Sequence, residues 1–442
     1  MSRQAYLVFG ALLLSASMWI WVQAIAIPRQ QAESAELGIP RGNLSDLYPR
    51  WLGAREMLLR GRDPYDAGIT REIQIGYYGR PLDPKRPNDP KDQQAFAYPI
   101  YVVLMLAPTV TIPFSTVQRV FLWLLIILLA ASVPLWLRAL GWRLSRTAIV
   151  AWIVLTFGCF PAIQGLKLQQ LTILVFALIA GSMTALVRGR FLLAGFWLAL
   201  ATIKPQLVFF LVLWLCIWTV GRWRERQRLL WGFFGTIAVL VVAGEFLLPG
   251  WIGEFRTAMR DYYRYTGGGF SVLDVALSPM WGRFASALIG GMLVVLVWQS
   301  RRASEETAEF QWSLAFTLAT TLLVIPTFAI YNQLLLLPGA MMAMRARREL
   351  WQKSRFVRFF CSVASFSVGW PFLAAACLVV ALTFLPGATV QKAWGLPFYP
   401  SFAIPITVYA LMLVSREVLS SGRAQHAMVD DPRGLRHNAT SE

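Results

Sequence analysis

Two residues in this chain have the type and setting that chemistry requires. Asp46 stands in Ser45-Asp46-Leu47-Tyr48-Pro49-Arg50-Trp51, at the head of a stretch with helical spacing. There it can cap the helix, or it can act as a carboxylate close to a membrane surface that accepts a proton from an attacking hydroxyl. Lys204 stands in Ile203-Lys204-Pro205-Gln206, between two apolar half-helices. A lysine at membrane depth is costly and marks a functional site by default, with snorkelling to the interface as the alternative. The polar neighbours expected at its level are Lys167, Gln169, Gln170 and Gln206, and Arg256, Arg260, Arg264 and Tyr265 can complete a cationic pocket. Cations beside a bilayer suit a phosphate or pyrophosphate headgroup. Gly267-Gly268-Gly269 can offer backbone N–H groups to that anion or form a flexible loop.

Acids on one loop and cations on the facing walls suggest group transfer from an anionic, lipid-linked donor. One carboxylate as base and a phosphate leaving group held by Lys and Arg suffice for an inverting transfer. No DxD pair is present to hold a metal under a nucleotide diphosphate, so no cofactor and no metal are expected. Asp63/Asp66 and Asp89/Asp92 can in principle bind a cation, but their Pro- and Gly-rich setting favours turns.

The elements that must position these residues are membrane helices. The chain is 57% hydrophobic and only 14% charged, against about 25% charged in average globular chains. Its net charge of +18 comes from Lys and Arg clustered in short linkers between apolar runs. That is the positive-inside pattern rather than a nucleic-acid surface, so nucleic acid is excluded as a partner. The four cysteines lie far apart inside apolar runs, which argues against zinc and disulfides. Both histidines, His426 and His437, fall in the C-terminal tail, which removes histidine from any chemistry in the membrane domain.

With every basic linker on the cytoplasmic side, twelve crossings satisfy the parity: 5–27, 117–138, 146–163, 168–187, 191–203, 206–220, 229–248, 283–299, 310–327, 332–345, 360–385 and 401–417. The fold class is therefore an all-α polytopic membrane protein with about 12 transmembrane helices and both termini cytoplasmic. Val22-Gln23-Ala24 resembles a signal-peptidase site only faintly, and the first run is read as an uncleaved span. One domain is expected over 1–420, with a polar tail over 421–442. The first outer loop, 28–97, carries ten of the chain's twenty-three acids: Glu33, Glu36, Asp46, Glu56, Asp63, Asp66, Glu72, Asp83, Asp89 and Asp92. Inside it Leu47, Trp51, Ala54, Leu58 and Leu59 predict an amphipathic helix on the outer face, capped by Ser45 or Asp46 and ended by Gly61. The proline-bearing run 98–113 reads as a re-entrant segment. Pro205 makes Lys204 the reversal point between two short half-spans.

An ordered set of motifs carries a family resemblance. Leu58-Leu59-Arg60-Gly61-Arg62-Asp63-Pro64-Tyr65 is followed by Ala97-Tyr98-Pro99, Leu106-Ala107-Pro108, a Gly/Gln turn before a span, and Ala194-Gly195 leading to Lys204-Pro205-Gln206. Over about residues 5–345 the chain resembles glycosyltransferase family 87, a group of GT-C membrane mannosyltransferases. The resemblance implies a polyprenyl-phosphate-linked sugar donor, usually mannose, used on the extracytoplasmic face of the plasma (inner) membrane with inversion. A glycolipid or glycan would be the acceptor, and membrane lipids the surroundings. The family's catalytic aspartate falls on Asp46 and its Lys-Pro reversal on Lys204-Pro205. Tyr331 and Asn332 stand where the family often has a histidine. The expected substrate-binding set is thus Lys204, Gln169, Gln206, Arg256, Arg264, Tyr98, Tyr331 and Asn332 around a catalytic Asp46. Two other readings compete. A transporter or flippase of a lipid-linked anion should show paired broken helices in two related halves, and only one such break is visible. A non-catalytic relative would bind the lipid-linked sugar without turnover.

Overall fold

The computed structural model describes residues 3–83, 85–266, 269–326 and 328–421. It is all-helical, and among the described residues there is no strand. Among the described residues six helices are long and apolar enough to cross a membrane: Ala5–Glu36, Phe114–Ala139, Trp223–Leu247, Pro279–Ser300, Arg355–Ala381 and Gly387–Val414. The pair Arg146–Gly158 and Phe160–Lys167, bent by 61°, is a seventh if it counts as one span. Leu171–Val187, Phe191–Ile203 and Pro205–Gly221 are shorter apolar helices. The first helix departs from its expected end at residue 27. A π turn at Val22–Ala26 leads directly into Ile27–Glu36, so the start of the acid-rich loop is helical. Pro28 falls in the first turn of that second segment, where its missing N–H costs nothing.

The acid-rich loop folds into the body of the protein. Leu47, Trp51, Ile69, Ile73, Phe96 and Tyr98 belong to the same buried cluster as Leu129, Leu198 and Leu211 of the apolar helices. The helix Tyr48–Arg60 does end at Gly61, whose φ of 65° is the left-handed conformation that glycine adopts without penalty. Its inner face is Trp51, Leu52, Ala54 and Met57, while Leu59 is exposed, so the helix is sunk among its neighbours instead of lying flat on a surface. Neither Ser45 nor Asp46 caps it. The N-cap position is Leu47 and makes no side-chain bond, because the side chains of Ser45 and Asp46 are both turned to other partners. Trp51 fastens the helix to the next segment by donating from Nε1 to the Thr109 carbonyl at 3.1 Å. That segment, 98–113, contains only the helix Val102–Leu106 and a 3-10 turn at Ala107–Thr109.

Lys204 follows a helix, Phe191–Leu200, that is held by unusually close packing against Trp223–Leu247. A Cβ on Gly195 would lie 2.1 Å from the Leu229 carbonyl, and one on Gly232 would lie 2.2 Å from the Leu192 carbonyl. Only glycine lets Phe191–Leu200 approach Trp223–Leu247 so nearly, the logic of small-residue interfaces in membranes. The Ala194-Gly195 motif therefore has a packing cause, and it fixes the helix that ends at Lys204. A 3-10 turn at Ala201–Ile203 precedes the lysine and Pro205 begins the next helix. At the far end of that helix, Arg226 is buried and donates to the carbonyls of Trp218 (2.8 Å), Arg301 (2.9 Å) and Ala303 (2.7 Å). It satisfies helix-end acceptors that would otherwise be orphaned. Although it belongs to a basic linker, its role is structural.

Candidate active site

A polar cavity of about 250 Å³ brings the loop and the Lys204 break together. Its geometry begins with backbone strain. Leu44 (φ 49°) and Gln169 (φ 54°) are non-glycine residues in the left-handed region, one just ahead of Ser45-Asp46 and one just ahead of Gln170. Such conformations persist only where surrounding contacts over-determine them. Here the two turns are pinned to each other: the Asp46 N–H donates to the Leu168 carbonyl at 2.9 Å, and the Ser45 hydroxyl donates to Gln169 Oε1 at 2.5 Å. Gln169 in turn donates from Nε2 to the Gln118 carbonyl at 2.5 Å.

This clamp presents the Asp46 carboxylate to the cavity. Its Oδ1 accepts from the Tyr77 hydroxyl at 3.0 Å, and its Oδ2 accepts from Gln170 Nε2. The Gln170 amide is fixed from its other end by Lys204, which donates from Nζ to Gln170 Oε1 at 2.6 Å and to Thr172 Oγ1 at 2.9 Å. The Thr172 hydroxyl in turn donates to Asn332 Oδ1 at 3.0 Å. The Lys204 ammonium also lies 5.0 Å from the centre of the Tyr331 ring, a cation–π arrangement. At 5% exposure, Lys204 does not snorkel; it is buried in a bonded network. One continuous chain therefore runs from Tyr77 through Asp46, Gln170, Lys204 and Thr172 to Asn332.

A second cation faces the same space. Arg50, one helical turn after Asp46, donates from Nη1 to the Asp46 carbonyl and lays its guanidinium 4.1 Å from the centre of the Tyr98 ring. Its Nε is buried without a partner. Arg50 thus keeps an N–H donor free for an anion, while the Lys204 ammonium offers its charge with its donors shared among Gln170, Thr172 and Tyr98.

Six of the expected site residues line the cavity: Asp46, Tyr98, Lys204, Gln206, Tyr331 and Asn332. Three do not. Gln169 points away, because the left-handed φ at that residue reverses the direction of successive side chains; Gln170 takes the place expected for it. Arg256 and Arg264 belong to the helix Trp251–Tyr265, which turns Phe255, Met259, Tyr262 and Tyr263 to the cavity and leaves both arginines exposed on its other face. Arg264 reaches only Asp261, at 3.5 Å. Of the other candidate groups, Gly267 and Gly268 and the tail from 422, with both histidines, lie outside the described residues.

Sequence reasoning missed Arg50 and Asp92. Both were visible as charges, but only the fold turns them inward. Asp92 lines the cavity, and its Oδ1 and Oδ2 accept from the Gln94 N–H (2.9 Å) and Nε2 (3.0 Å). Burial, reinforced by the negative charge of Asp46, pushes the Asp92 carboxyl above its ordinary range against the Gln94 N–H.

A family model described as glycosyltransferase family 87 matches residues 96–326, more than half of the 442-residue chain. The protein belongs to that family and is a membrane glycosyltransferase. The match begins at Phe96, so Asp46, Arg50 and Asp92 precede it, while Tyr331 and Asn332 follow it. No curated protein and no solved structure matches the chain.

Proposed function

We propose that the protein transfers a sugar, mannose on the family resemblance, from a polyprenyl-phosphate-linked donor to an acceptor hydroxyl, with inversion. The observation that carries this reading is the hydrogen-bonded chain joining a carboxylate to a buried lysine inside one cavity, Asp46 to Gln170 to Lys204. An inverting transfer needs a base on one side of the anomeric carbon and charge neutralisation on the other. Asp46 takes the proton as the acceptor oxygen forms its bond to the anomeric carbon. The bond from that carbon to the phosphate oxygen breaks, and its electron pair leaves on the phosphate. Lys204 and Arg50 neutralise the released dianion in place of the arginines expected from the Trp251–Tyr265 helix. The Gln170 amide holds both groups in register: its oxygen accepts only from the lysine and its nitrogen donates only to the aspartate. Holding reacting groups in a fixed geometry can lower a barrier by about 7–11 kcal/mol.

Twelve crossings with both termini cytoplasmic would place this cavity on the extracytoplasmic face of the plasma membrane, where a lipid-linked donor is presented. The basic linkers support that orientation. The test is transfer of radiolabelled mannose from a polyprenyl-phosphate-mannose donor by the purified protein, given a membrane glycolipid extract as acceptor. Asp46→Asn should lower turnover roughly 10²- to 10⁴-fold, the usual span for a general base, with donor affinity little changed. Normal turnover by that variant would remove Asp46 from the mechanism. Donor binding by the unaltered protein without any transfer would favour a binder over an enzyme for this particular donor.

A further inference from the structure

The acids of the first loop sort by partner and place: Glu36 is exposed, and of the rest one faces the cavity without a role in the proposed reaction. Glu33, Glu56, Glu72, Asp83 and Asp89 are each ion-paired with an arginine of the same loop. Asp63 and Asp66 accept backbone N–H groups two residues on and hold turns, as Asp92 does with Gln94, but neither Asp63 nor Asp66 lines the cavity. Asp46 is the base of the proposed reaction. Asp92 also faces the cavity, with no cation bonded to it, and the proposed chemistry makes no use of it.

Asp92 is built into place. Its carbonyl accepts from the Tyr78 hydroxyl at 2.6 Å, and both carboxylate oxygens are held by Gln94. Gln94 adopts φ 55°, the left-handed region that a side-chain-bearing residue enters at a cost. In that conformation its N–H and its amide nitrogen both bond the same carboxylate. Beside this pair the cavity wall is aromatic: Phe255, Tyr262 and Tyr263 from one helix, and Phe328 from the segment before Tyr331. A negative group next to Asp46 repels phosphate, so this end of the cavity is not where the leaving group sits. Among the described residues no third acid joins the two to make a metal cluster. A carboxylate and an amide beside flat aromatic faces match a ligand that is neutral, rich in hydroxyl donors on its edge and apolar on its ring face.

We infer that Asp92 and Gln94 form a sugar subsite that binds a hydroxyl pair of a pyranose ring packed against the Tyr262 ring. The inference rests on the proposed sugar transfer, and the ring could come from the acceptor or from the donor. Its test separates these sources and does not depend on turnover. The first arm measures binding of methyl α-mannoside and methyl α-mannobioside to the protein in nanodiscs by saturation-transfer NMR, without donor. The second measures donor concentration dependence in acceptor-free hydrolysis of polyprenyl-phosphate-mannose. Asp92→Asn keeps the shape but weakens the hydroxyl acceptor, and a loss of one such bond is worth about tenfold in affinity. Gln94→Gly removes the amide and relieves the left-handed strain, so it should raise thermal stability while weakening the sugar. Tenfold weaker glycoside binding in both variants assigns the subsite to the acceptor; a tenfold higher donor KM assigns it to the donor sugar. Unchanged glycoside binding and unchanged donor KM in both variants would overturn the inference. A hydrolysis-inactive wild type that still binds glycosides through Asp92 would count against the donor reading alone, and a wild type that binds no glycoside and shows no Asp92-dependent donor KM would sink the subsite.

Discussion

Replacing Lys204 by methionine separates its two possible duties, holding the fold and holding the donor phosphate. The side chain has 5% exposure, so the unmutated protein bears the desolvation of a buried ammonium, several kcal/mol. Methionine removes that cost and fills a similar volume. Against this, the variant loses the bonds to Gln170 Oε1, Thr172 Oγ1 and the Tyr98 side chain and the cation–π contact with Tyr331, of which the first and last cost most. Those amount to about 1–3 kcal/mol for the orphaned amide oxygen and about 2 kcal/mol for the contact. Thr172 keeps its bond to Asn332 and adds little. The opposing terms nearly cancel, so the apparent melting temperature in detergent should stay close to that of the unaltered protein. Donor binding has no such compensation. A charge-assisted bond to phosphate contributes about 1.5–3 kcal/mol, which predicts roughly 10- to 150-fold weaker affinity for polyprenyl-phosphate-mannose. Titration of the donor into both proteins reads this directly, with Arg256→Ala as the control whose affinity should not move. A variant that melts far lower while binding donor normally would show that Lys204 is a structural plug, and the phosphate assignment would be wrong.

Two further predictions concern the scaffold around the site. Gly195→Val should destabilise the protein severely, because its Cβ would lie 2.1 Å from the Leu229 carbonyl and the backbone there cannot yield without parting two helices; thermal unfolding together with loss of donor binding would report both consequences. The Asp89 carboxyl is held down to about 2 by hydrogen bonds from Arg80, against an unfolded value of about 3.9. Its folded value is the lower one, so its contribution is complete above about pH 4 and is lost as pH falls toward 2. Pepsin cleavage near Arg80–Asp92 should therefore accelerate between pH 4 and pH 2. In Asp89→Asn, cleavage should be fast at both, and an unchanged acid dependence in that variant would remove the ion pair from the explanation.

What the chain discloses before folding depends on whether a residue's environment is local. Lys204 was legible because its neighbours along the chain, apolar on both sides with Pro205 next to it, already set the depth and the break. The membrane class was legible for the same reason, since apolar length is a property of consecutive residues. Arg50 and Asp92 were not, because facing inward is decided by partners far away in sequence. Arg50 follows Asp46 by one turn on what reads as an ordinary helix surface, and Tyr98 is what makes that surface the wall of a cavity. The exchange of Gln169 for Gln170 has a sharper cause: a single left-handed φ reverses which of two adjacent glutamines points in, and no glycine marks the position. The arginines of Trp251–Tyr265 show the same limit from the other side. An amphipathic helix beside a membrane has two faces, and charge alone favoured the basic one as the ligand wall. The structure turns Phe255, Met259 and Tyr262 to the cavity instead. That choice is physically coherent, because Arg50 and Lys204 already line the cavity and a further row of arginines would only repel them, whereas Phe255, Met259 and Tyr262 give it an apolar wall.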